Sequence, residues 1–80
     1  MKKIYEWNNF GYYIEIDGNI IDEDMAKYLG IDYEEYINIL IKYKACKNFQ
    51  NGEYYFKELR DLKKCLKILN PYIIMATLTK

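Results

Sequence analysis

Three observations place this chain in the α+β class as one small domain. Its first 21 residues are dense in Ile, Tyr and Trp and are broken by Asn-Asn and Asp-Gly, the composition of short strands joined by turns. From Asp22 onward the apolar spacing changes to three and four, with acidic residues leading the runs, as in capped amphipathic helices. The third is length, since 80 residues leave little room for a second core.

Lys3 to Trp7 and Tyr12 to Asp17 read as the two strands of an N-terminal hairpin, with Asn8-Asn9-Phe10-Gly11 as its turn. Asp17-Gly18 turns the chain again into a short third strand at Ile20-Ile21. Asp22 is a suitable N-cap, Glu23 and Asp24 suit the first turn, and Met25 and Leu29 share a face. A helix over 23–29 follows, ended by Gly30 in the left-handed conformation. Asp32, with Glu35 three residues on, starts a second helix in the manner of a capping box. Its stripe of Tyr33, Tyr36, Ile37, Leu40, Ile41 and Tyr43 is broad, which predicts the most buried helix, fading near Lys47-Asn48. Asn51-Gly52 between aromatic flanks predicts a short second hairpin. From Lys57 a third helix steps through Leu59, Leu62, Leu66 and Leu69 and stops at Asn70-Pro71. The tail from Tyr72 to Thr79 is apolar on both pleat faces and predicts a C-terminal strand.

Composition excludes several kinds of chemistry. The chain has no histidine and no serine, so Ser-His triads and His-containing metal sites cannot be built from it. A calcium loop from Asp17 fails at Ile21 and at Tyr28, where an oxygen ligand and a glutamate belong. No catalytic, metal or cofactor site is expected, and the protein reads as non-enzymatic. No stretch has the roughly 18 apolar residues of a membrane span, and the start lacks the apolar run of a secretory signal. A cytoplasmic protein follows, with Cys46 and Cys65 as helical core thiols.

Charge is where the sequence says most about partners. Residues 1–41 carry nine acids and three lysines, whereas residues 42–80 carry nine bases and three acids. A net charge of zero thus hides two opposed halves, which folding can turn into an anionic and a cationic face. Eight of the acids fall between Glu15 and Glu35, interleaved with tyrosines, and the whole chain has ten tyrosines. Tyrosine pairs a large apolar ring with a polar tip, which suits contact surfaces. The predicted partner-binding residues are Asp22, Glu23, Asp24, Tyr28, Asp32, Tyr33, Glu34, Glu35 and Tyr36.

Met25 to Leu40 resembles a helix-turn-helix, with Ala26 at its small position and Gly30 in its turn, and the Asn51-Gly52 hairpin as a wing. That resemblance implies duplex reading by the start of the second helix. Here that start is Asp32-Tyr33-Glu34-Glu35, which repels phosphate, so base reading there is not expected. The alternative nucleic-acid site is Arg60, Lys63, Lys64 and Lys67 on the third helix, with Tyr54 and Tyr55 as stacking platforms.

The stretches MAKYLGIDYEEYINILIKYKA, NGEYYFKELRDLKKCLKIL and PYIIMATLTK together resemble small phage and mobile-element proteins of AT-rich Gram-positive bacteria. Some of these are anti-CRISPR inhibitors, others small DNA-binding regulators. The resemblance implies a protein that inhibits or modulates a host protein or nucleoprotein complex by stoichiometric binding. A homodimer through the tail strand is a further expectation.

Overall fold

The computed structural model describes residues 2–79 and confirms the α+β class. Strands β1 (Lys2–Trp7), β2 (Gly11–Ile16) and β3 (Asn19–Ile20) form an antiparallel sheet in that order. Both turns use left-handed residues, Asn8 and Asn9 in the first and Asp17 and Gly18 in the second. Asn, Asp and Gly tolerate that region best, and its twist matches that of the flanking strands.

Helix α1 (Met25–Leu29) is shorter than expected at its start, and helix α2 (Tyr33–Lys42) begins one residue after Asp32. The two helices end alike. After α1, Gly30 is left-handed and the Ile31 N–H donates to the Ala26 carbonyl. After α2, Lys44 is left-handed and the Ala45 N–H donates to the Leu40 carbonyl. This is one hydrogen-bonded helix stop used twice. Glycine marks the first in the sequence and nothing marks the second, so α2 ends well before Lys47.

Strands β4 (Cys46–Lys47) and β5 (Tyr54–Tyr55) pair across residues 48–53, a wider loop than the tight Asn-Gly hairpin expected. Asn48 organises the loop: its carbonyl accepts from the Gly52 N–H at 2.7 Å and its side chain from the Gln50 N–H at 3.0 Å. Cys46 therefore lies in a strand, half-exposed, while Cys65 is helical and fully buried. The second sheet is laced to the first by Tyr12 and Phe56, which exchange N–H···O bonds of 2.7 and 2.8 Å.

The largest departure is the tail. Helix α3 runs from Leu59 to Leu78 straight through Pro71, and no C-terminal strand forms. Its buried stripe, Leu62, Cys65, Leu66, Leu69, Ile73 and Ala76, keeps the helical period on both sides of the proline. Ile74, Met75 and Leu78 are exposed, which makes the tail apolar all round and mimics a buried strand. Packing of Ile73 and Ala76 outweighs the hydrogen bond that Pro71 cannot donate. The homodimer expected through a tail strand has no strand to form it.

One core unites the elements. Ile14 and Ile16 of β2 face α3, and Ile21, Met25, Leu29, Tyr36, Leu40 and Phe56 close around it. Directly opposed residues of an antiparallel pair share a face, so Tyr5, Trp7 and Tyr13 stand on the opposite side of the sheet, away from that core.

Candidate interaction surface

The acidic residues predicted to bind a partner do not behave as one group. The Asp22 carboxylate accepts from the Met25 N–H at 3.1 Å, and its carbonyl accepts from the Tyr36 hydroxyl at 2.6 Å. Asp32 accepts from the Glu35 N–H at 3.4 Å and caps α2. Glu23 forms an ion pair with Lys47 at 2.7 Å, which raises the Lys47 pKa chiefly through that hydrogen bond. These three serve the fold. Asp24, Glu34 and Glu35 are exposed, and none of their carboxylates has a partner among the described residues.

The tyrosines divide as well. Tyr36 is fully buried, so it belongs to the core and cannot anchor a partner as expected. Burial first, and the Asp22 charge second, push its phenol far above the usual tyrosine range. Tyr28 is half-buried and its hydroxyl donates to the Asp17 carboxylate. Tyr33 is 52 % exposed and lies close enough to Lys47 and Tyr54 to interact with both. Of the predicted residues, Asp24, Tyr33, Glu34 and Glu35 remain free to meet a partner.

A second patch was missed by sequence reasoning. Trp7 sits at the centre of an aromatic cluster, its ring 5.1 Å from Phe10, 5.2 Å from Tyr13 and 5.2 Å from Tyr55. Phe10 is 65 % and Phe49 89 % exposed. With Lys47, Asn48 and Gln50, the residues Trp7, Phe10, Phe49 and Tyr55 line an open cleft of about 510 Å³. Strand alternation already puts Tyr5, Trp7 and Tyr13 on one face. What the sequence could not show is that β5 returns to place Tyr55 against them. Tyr54, its neighbour, points toward the core instead, so the two do not form a joint stacking platform.

Lys47 joins the two patches. It lines the aromatic cleft and also a smaller one with Asp22, Glu23, Asp24, Asn51 and Gly52. Carboxylates and aromatics are therefore neighbouring parts of one surface, hinged on the Glu23–Lys47 pair.

The basic stripe is present on α3. Arg60, Lys63, Lys64 and Lys67 are all exposed, share one helical face, and have no carboxylate partner among the described residues. Among those residues no three His, Cys, Asp or Glu side chains converge to hold a metal, and no helix is long and apolar enough to cross a membrane. Cys65 is held up to about 12 by burial, which keeps its thiol protonated and inert at neutral pH. Comparison with protein-family models, with curated proteins and with solved structures finds no match.

Proposed function

We propose that this protein is a non-enzymatic, cytoplasmic binding protein that acts stoichiometrically on a host protein or nucleoprotein complex, in the manner of mobile-element inhibitors such as anti-CRISPR proteins. The observation that carries the reading is the adjacency of exposed aromatics to unpaired carboxylates. Protein interfaces combine aromatic anchors in a desolvated centre with a charged rim that sets orientation and association rate. Phe10, Phe49 and Trp7 supply the anchors, Asp24, which shares the neighbourhood of Lys47 with them, supplies the rim, and the exposed Tyr33, Glu34 and Glu35 at the start of α2 would extend it. The partner is then a protein with an apolar pocket bordered by basic residues.

The test compares the wild type with Phe49→Asp and with Glu34→Lys/Glu35→Lys as baits in affinity capture from bacterial lysates. All three positions concerned lie on the surface, so thermal stability should stay within about 0.5 kcal/mol of wild type for Phe49→Asp and within about 2 kcal/mol for the double reversal, which puts bases in the first turn of α2. The expected result is one stoichiometric partner retained by the wild type and lost by both variants. A partner that both variants retain in full would remove this surface from the account.

The free basic face of α3 favours one second reading, a nucleic-acid-binding regulator using Arg60, Lys63, Lys64 and Lys67. It requires duplex affinity that falls steeply between about 50 and 200 mM salt. Binding unaffected by Lys63→Ala/Lys64→Ala would exclude it.

A further inference from the structure

We infer that the open edge of β1 pairs with the same edge of a second copy, in a register centred on Ile4. The inference is independent of the partner proposed above and rests on backbone direction, side-chain chemistry and the neighbouring apolar surface.

Backbone direction comes first. On β2, Tyr12 exchanges both its bonds with Phe56, and the Ile14 carbonyl accepts from the Ile21 N–H. Peptide groups alternate sides along a strand, so Tyr13 and Glu15 are the residues that bond β1. Their register partners are Tyr5 and Lys3. Lys2, Ile4 and Glu6 therefore turn their N–H and C=O groups toward the open edge. Six residues of strand, with no neighbour on that side in the sheet order β1-β2-β3, form a ready template for pairing.

Side-chain chemistry then selects the occupant. Lysines on an edge ordinarily discourage another strand, because a copy brings its own lysines. Around Ile4, however, the edge is self-complementary. An antiparallel copy with Ile4 opposite Ile4 sets Lys2 against Glu6 of the second copy, and Glu6 against its Lys2. Opposite charges directly across a strand pair attract, and each of the three pairs uses outward-facing peptide groups. Any register shifted by one residue pairs outward groups with inward ones and loses the ladder. Registers shifted by two keep part of the ladder but lose the Lys2–Glu6 pairs, so the register centred on Ile4 satisfies both the hydrogen bonds and the charges.

Apolar surface adds the remaining reason. Ile4 is 41 % exposed although it lies on the same side of the sheet as Ile14 and Ile16. On that side Lys2 borders a groove of about 490 Å³ with Asn70, Ile73, Ile74, Thr77 and Leu78 of α3. Ile74 and Leu78 are 49 % and 73 % exposed. A second copy at this edge removes part of that surface from water in both molecules.

The test is the mass in solution by sedimentation equilibrium, from micromolar to millimolar protein, for four chains. The wild type is expected to reach twice the 9.7 kDa monomer mass. Ile4→Pro removes an outward N–H that β2 does not use, so it should stay folded and remain monomeric throughout. Glu6→Lys should weaken association at least about tenfold by setting lysines opposite one another. Lys2→Glu/Glu6→Lys restores opposite charges and should recover it. Register has its own check: Ile4→Cys in a Cys46→Ala background should form an intermolecular disulfide, since opposed residues lie about 5.5 Å apart between α-carbons. A wild type monomeric at every concentration would overturn the inference, as would a dimer indifferent to Ile4→Pro and Glu6→Lys.

Discussion

Gly11→Ala should be the most damaging small change in this chain, and the structure says by how much. A β-carbon on Gly11 would lie 2.4 Å from the Phe56 carbonyl oxygen, 3.1 Å from its carbon and 3.2 Å from Cδ2 of Tyr55. Ordinary contact begins near about 3.5 Å, so the Phe56 backbone must retreat by about 1 Å. That movement stretches the two bonds between Tyr12 and Phe56, at 2.7 and 2.8 Å, past the hydrogen-bonding range. Two such bonds contribute about 1 kcal/mol each. Phe56 is fully buried and would lose part of the roughly 3–5 kcal/mol that its truncation costs. The total is about 3–4 kcal/mol, which for a domain of this size lowers Tm by about 12–30 °C. Gly18→Ala is the control: φ is +88° and nothing lies within 4 Å, so only backbone strain of about 1 kcal/mol is expected. Thermal and urea unfolding followed by far-UV circular dichroism measures both. Equal losses for the two variants would show that the seam between the sheets yields to an extra carbon, and the reasoning would fail.

Two further outcomes follow from the core and from α3. Stability should decline in alkali, because the Cys65 thiol is held up to about 12 by burial while the unfolded chain ionises near pH 8.5. Between those values the unfolded state binds fewer protons, and stability falls by about 1.4 kcal/mol per pH unit. Buried Tyr36, pushed up likewise, adds to the slope above about pH 10. Urea midpoints from about pH 8 to 10 check this, and a Cys65→Ala chain with an unchanged slope would contradict it. Pro71→Ala should restore the missing hydrogen bond on an exposed face of α3 and raise stability by about 1–3 kcal/mol, read as a higher Tm. A lower Tm would mean that the core needs a bend at that point.

Local chemistry carried most of the fold. Asn8-Asn9, Asp17-Gly18, Gly30 and Asp32 each announce a turn, stop or cap, and each sits where its type predicts. The second helix end and the tail were illegible for definite reasons. Lys44 adopts a left-handed conformation that nothing in its residue type suggests. Pro71 carries a local stop signal that burial of Ile73 and Ala76 overrides. The interaction surface was half legible. Charge segregation marked the acidic corner, but backbone bonds to Asp22 and Asp32, the Glu23–Lys47 pair, the Tyr28–Asp17 bond and burial of Tyr36 withdraw five of its nine residues from direct contact. The aromatic cleft needs Tyr55 beside Trp7, a meeting of residues 48 positions apart that no local pattern encodes.

The two cysteines differ in a way that is useful at the bench. Cys65 is sealed and protonated, whereas Cys46 is half-exposed in β4, one residue from the Lys47 that joins the carboxylates to the aromatic cleft. A maleimide dye added at neutral pH therefore attaches at one place without any engineering. That place is beside the surface whose occupancy is in question, so the native chain accepts its own fluorescent reporter of binding.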